Sequence, residues 1–234
     1  MYHQLYFNYP KYGGIQALFN TFKNQLDKKK IRIITDCKIK KIVKEKNKLI
    51  FDSDKAKFYT DKIVSTIPIN SLHNYIRMNK KIRKVSKQLK YNSIIICIFN
   101  IKGNQAGKNF ALMIPDKKII FHRISKLDFL GKSYSIKNST TFEIEITYRK
   151  GDRISKMSKN AIFSDIEKGL KNLKFINKKS DINFKSMKKF QYAYVIYDLH
   201  HRKNVDFLIK SYEILFEFNF NREYKILFIS MYIY

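Results

Sequence analysis

Tryptophan is absent from this sequence, and cysteine, proline and glycine are scarce, with two, three and seven residues in a chain of 234. Cys37 and Cys97 stand sixty positions apart, which offers neither a metal-ligand spacing nor a disulfide framework. Zinc sites and small disulfide scaffolds are excluded, and a reduced intracellular setting is the default. No Pro- or Gly-rich linker, internal repeat or low-complexity tract interrupts the chain. Long apolar runs are missing too: the longest, 94–99 and 226–234, fall well short of the roughly 20 residues a membrane helix needs. The opening residues lack the basic and apolar regions of a signal peptide. The expected location is cytoplasmic. Absent as well are a Gly-x-Ser-x-Gly elbow, a Walker loop and a His-Glu-x-x-His pair.

What is present is charge of one sign. Lys and Arg number 48 against 19 Asp and Glu, a formal charge of +29, and 40 of the cations are lysines. The lysines are scattered, and guanidinium forks, the preferred tool for base and phosphate recognition, are few. Together with abundant Ile, Asn, Phe and Tyr this matches an AT-rich coding sequence better than a nucleic-acid footprint. A basic nucleic-acid-binding module stays as the rival function class, and a peripheral membrane contact through the lysines would be non-specific. At 44% hydrophobic residues the chain has enough apolar mass to fold, which excludes intrinsic disorder.

After Gly13 and Gly14, apolar residues at 15, 18, 19, 22 and 26 describe one face of a helix. Short β signals follow at 31–34, 39–43, 49–51, 57–59 and 63–66. The last is unalternated and closed by Pro68, as a strand buried on both faces would be. Residues 71–89 read as a polar helix, 93–101 as a strand, 141–148 as a strictly alternating half-buried strand, and 184–196 as a strand carrying an aromatic cluster. Stretches 161–173 and 205–216 read as helices. His200 and His201, as sequential neighbours, point to different sides and form no metal pair. Asp52 and Asp54 fit a solvated turn after a hairpin strand. No metal site is expected, and no catalytic residue stands out.

The order of these features carries a resemblance. Tyr9-Pro10-Lys11-Tyr12-Gly13-Gly14-Ile15, the strand at 31–34, the stretch Ile39-Lys40-Lys41-Ile42, and Asp61-Lys62-Ile63-Val64-Ser65-Thr66-Ile67-Pro68 together resemble the FAD-dependent amine oxidase and protoporphyrinogen oxidase superfamily. Weaker likeness continues through Phe121-His122-Arg123-Ile124-Ser125 and Ala193-Tyr194-Val195-Ile196-Tyr197-Asp198-Leu199. The resemblance implies a mixed α/β (α+β) chain: a partial flavin-binding domain of helix and β-meander, with a mixed-sheet substrate domain. Its boundaries would be 1–78 for the second part of the FAD domain, 79–204 for the substrate domain and 205–234 for a remnant of the closing flavin segment.

FAD is the implied cofactor, held by Gly13, Gly14, Ile39, Thr66 and Pro68. In the family the strand matching Ile39 touches adenine through its backbone, and the Thr66–Pro68 turn approaches the cofactor. Arg123, Tyr194 and Tyr197 are the implied substrate-pocket residues. Physical readings of the same residues stay open beside these. A glycine pair before a helix can leave N–H groups for an anion or simply make a tight turn. Ile39 fits a core, and the Arg and Tyr side chains fit amphipathic surface packing. The Gly-x-Gly-x-x-Gly turn with its acidic ribose partner is missing, so an incomplete or split chain is expected. Such a chain would carry one wall of the FAD site, and a separate chain would supply the Rossmann half. Hydride transfer from a small-molecule substrate to flavin is the implied activity, with a UDP-galactopyranose mutase-like enzyme or a non-catalytic scaffold as alternatives.

Overall fold

A computed structural model describes residues 8–45, 48–61, 63–103, 105–216 and 227–228. The chain is mixed α/β and divides into two compact units, one formed by 8–32 with 93–193, the other by 33–92 with the segment from 194 onward.

In the first unit, a sheet of five strands runs in the order β6-β7-β8-β5-β9. These are β5 (Lys90–Lys102), β6 (Ala111–Met113), β7 (Arg123–Lys126), β8 (Ser139–Tyr148) and β9 (Ile182–Ile196). Strict alternation makes β8 two-faced. Phe142, Ile144 and Ile146 are fully buried and stand opposite Phe99, Cys97 and Ile95 of antiparallel β5. Helix α3 (Lys159–Asn172) adds Ile162, Ile166 and Leu170 to the same core. Ser158 caps α3 by accepting the Ala161 N–H at 3.2 Å. At the other end Lys174 takes a left-handed φ of 59°. The Phe175 N–H then closes on the Leu170 carbonyl at 2.9 Å, a Schellman arrangement normally given to glycine. Gly169 is needed for closeness: a Cβ there would lie 2.7 Å from the Phe121 ring.

The glycine pair also belongs to this unit. Gly13 and Gly14 take φ of 75° and 58° and turn the chain into α1 (Gln16–Gln25). The expected apolar face forms, but Leu18, Phe19 and Phe22 are 48–67% exposed and α1 buries no residue. The spacing specified the helix; nothing among the described residues covers its stripe.

In the second unit, β1 (Ile39–Glu45), β2 (Lys48–Ser53) and β3 (Lys57–Thr60) form an antiparallel meander. Its second turn is closed by Ser53 Oγ, which accepts the Lys55 and Ala56 N–H groups and donates to the Ala56 carbonyl at 2.6 Å. A 3-10 helix (Ile69–Asn74), α2 (Lys80–Gln88) and α4 (His201–Phe216) complete the unit. Its core joins Ile42 and Leu49 of the meander to Leu72, Ile82, Leu208 and Tyr212. The single helix expected over 71–89 is two, because Asn79 accepts the Ile82 N–H at 2.9 Å and so starts a fresh helix.

Two strand expectations change. Residues 31–34 form no strand, and Ile31, Ile33 and Ile34 are 37–49% exposed; no neighbouring strand among the described residues pairs with them. The run at 63–66 shrinks to β4 (Val64–Ser65), paired in parallel with β10 (Leu227–Phe228). It is not buried on both faces, since Val64 is 61% exposed.

Candidate functional site

Three segments of the second unit, with Phe51 of β2, line an open apolar cavity of about 520 Å³. The chain entering β1 supplies Cys37, Lys38 and Ile39; the run 63–67 forms a second wall; Leu72, Tyr75 and Ile76 form the third. Tertiary hydrogen bonds hold these walls. Ile42 donates its N–H to the Tyr75 carbonyl at 2.8 Å, which clips the short helix to β1. Asp54 Oδ1 accepts the Lys38 N–H at 2.9 Å, and the Asp54 N–H returns to the Lys38 carbonyl at 3.0 Å. Lys55 Nζ donates to the Thr35 carbonyl at 2.8 Å. The turn expected to be a solvated aspartate loop is therefore also the clamp that fixes the cavity mouth. A pocket of this size with mainly apolar walls and a few polar groups is the ordinary form of a small-molecule or cofactor site.

Of the residues expected to hold a cofactor, Ile39 and Thr66 both line this cavity. Pro68 lies just past the second wall and leads into the 3-10 helix. Gly13 and Gly14 belong to the first unit. There the Gly14 N–H donates to the Tyr134 hydroxyl at 2.9 Å, and that hydroxyl donates to the Pro10 carbonyl at 2.7 Å. The Gly14 amide therefore already has a partner, which is the tight-turn reading of the pair. Cys37, Tyr75 and Leu72 went unseen in the sequence, because no local pattern links a strand entrance to a short helix more than thirty residues on.

Arg123 lies on β7 in the first unit, directly across from Glu145 of β8. Its Nε donates to Glu145 Oε1 at 2.7 Å, Nη2 reaches the same oxygen, and His122 Nε2 lies 3.8 Å from Oε2. The Glu145 side chain is 2% exposed, so Arg123 compensates a buried charge. On the same strand the Glu143 carboxyl is pushed above its ordinary range, first by burial and then by Glu145, with Arg123 opposing. Tyr194 and Tyr197 belong to the second unit and are 44% and 59% exposed. The Tyr197 ring meets the buried His201 edge-on at 4.8 Å. His200 is exposed and His201 is buried. No group of three or more His, Cys, Asp or Glu suited to a metal occurs among the described residues, and no described helix is long and apolar enough to cross a membrane.

No protein-family model and no curated protein matches the sequence. Solved structures do match the fold. A reduced UDP-galactopyranose mutase superposes with a TM-score of 0.73 at 13% identity, covering 89% of this chain and 45% of that one. A putative protoporphyrinogen oxidase from Exiguobacterium sp. 255-15 gives 0.75 at 11% identity, covering 94% and 46%. A putrescine oxidase gives 0.60 at 10% identity, covering 82% and 44%. The chain shares its fold with the corresponding parts of these enzymes. The chain spans less than half the length of these structures.

Proposed function

We propose that this chain forms part of an FAD-dependent oxidoreductase of the amine oxidase or protoporphyrinogen oxidase type, in which its second unit provides one wall of the FAD site. The observation that carries this reading is the apolar cavity bounded by Ile39 and Thr66. Its walls fit a flat, weakly polar ring system. Ile39 would contact that ring along β1, Thr66 would add a hydroxyl, and Lys38 at the mouth would face the anionic part of a dinucleotide. A bound flavin supplies the hydride acceptor, and the protein's share is to hold and orient it. In this reading Pro68 shapes the chain turn that follows the second wall, Gly13 and Gly14 are cofactor residues by the resemblance alone, and the 1–78, 79–204 and 205–234 segments serve as flavin, substrate and closing regions. By the resemblance, Arg123, Tyr194 and Tyr197 would be the residues that meet a small organic substrate. The Gly-x-Gly-x-x-Gly half would be supplied by residues outside this sequence. The likeness to UDP-galactopyranose mutase favours a nucleotide-sugar enzyme as the second reading.

Thiol labelling tests the cavity assignment without needing turnover. Cys97 is buried and its thiol is pushed up to about 12 by burial, with Lys159 opposing, so it stays unlabelled in the native state. Cys37 lines the cavity and is partly exposed. FAD added together with a chain supplying the dinucleotide-binding half should slow Cys37 labelling. Ile39→Asp should remove that protection. Flavin that binds with an altered spectrum while leaving Cys37 labelling unchanged would place the cofactor elsewhere and overturn the reading.

A further inference from the structure

Helix α2 is set apart by its charge composition. Its first turn carries Lys80 and Lys81 with no acidic residue, although the N-terminus is the positive end of the backbone dipole and favours carboxylates. Within nine residues the helix holds five cations, Lys80, Lys81, Arg83, Lys84 and Lys87, and no acid. All five are exposed, as is Arg77 just before them, while Ile82, Ser86 and Leu89 are buried. At about 3.6 residues per turn, positions 80, 84 and 87 form one stripe opposite the buried side. None of the five makes an ion pair among the described residues. Lys90 beyond the helix, by contrast, pairs with Asp198 at 2.9 Å.

Coding bias toward lysine does not account for this. It loads every helix alike, yet α3 and α4 each set three cations against two acids, and only α2 has several cations with its carboxylates removed. None of the four α-helices carries an acid in its first turn, so what marks α2 as a functional surface is five cations without a carboxylate anywhere in the helix.

We propose that this face of α2 docks on an anionic phospholipid bilayer. Four of its five cations are lysines, about the same share as in the whole chain, and their compact point charges suit a diffuse field of headgroup phosphates. The helix carries no aromatic ring on which a nucleobase could stack. Its apolar residues are committed to the core with α4, so attachment is electrostatic and stays at headgroup depth. From α4, exposed Lys203 and Lys210 add to the field, Asp206 pairs with Arg202, and Lys81 lies 5.2 Å from the Phe207 ring.

Flotation of the full chain with phosphatidylcholine–phosphatidylserine vesicles tests this, with pure phosphatidylcholine as reference. At about five-fold per charge, Lys80→Gln, Lys84→Gln and Lys87→Gln together should weaken partitioning roughly a hundred-fold. The matching Lys→Arg triple should retain binding, which separates charge loss from misfolding. Lys28→Gln, Lys29→Gln and Lys30→Gln remove equal charge from an exposed turn and should change partitioning little. Equal losses from both Gln triples would overturn the proposal in favour of diffuse charge. Tighter binding to duplex DNA than to vesicles, lost by the α2 triple, would overturn it in favour of nucleic acid.

Discussion

The two units bury their apolar residues to different depths. Among the described residues the first unit gathers fifteen buried core residues, ten of them with no exposed surface. The second gathers eleven, of which only Leu208 and Tyr212 are completely enclosed, and it keeps a 520 Å³ cavity beside exposed Val64 and Ile67. A long alternating strand paired along its whole length with another gives one continuous apolar sheet for a helix to cover. Short meander strands and a 3-10 helix leave concave space between them. The first arrangement suits a rigid frame, the second a binding wall.

Truncation of a large ring probes this contrast most strongly. Phe142→Ala should cost about 3–5 kcal/mol, as for a fully buried aromatic. Phe51→Ala, on a half-buried cavity residue, should cost only about 1–2 kcal/mol. Paired denaturant titrations read both, and equal losses would erase the contrast.

Gly169→Ala asks how tightly the first core is closed. Helix propensity favours alanine by about 1 kcal/mol, but the added Cβ meets the Phe121 ring at 2.7 Å. A net loss of about 1–3 kcal/mol is expected, and a stabilised variant would mean that the ring gives way.

A smaller effect of opposite sign is expected from Lys174→Gly, because Lys174 holds a left-handed φ of 59°. Relief of that conformation should raise stability by up to about 1 kcal/mol, visible as a higher thermal midpoint.

The mildest probe is pH. Asp198 is held below the usual carboxylate range, chiefly by the Lys90 side chain, and the His200 N–H also donates to it. Its contribution to the second unit is therefore present above the unfolded value of about 3.9 and is lost as pH falls through the lower folded value. Thermal midpoints of the wild type and Lys90→Gln should differ slightly at neutral pH and converge in acid. A gap that widens in acid would contradict this assignment.

The strands β5 and β8 and helix α3 were legible in the sequence because alternation and 3.6-residue spacing are local, and each pattern was long enough to specify its own faces. The same locality explains two failures. Nothing at 31–34 or 63–66 reveals whether a partner strand lies alongside, so apolar composition alone overstated both as strands.

For the candidate site, sequence by itself determined that Ile39 begins a meander strand and that Thr66 follows an apolar run before Pro68. Only tertiary structure decided that these two residues share a cavity with Cys37 and Tyr75, that Asp54 clamps its mouth, and that Gly14 gives its N–H to Tyr134. Each of these depends on contacts between distant segments, in which backbone N–H groups find side-chain acceptors, and contacts of that kind leave no period in the sequence.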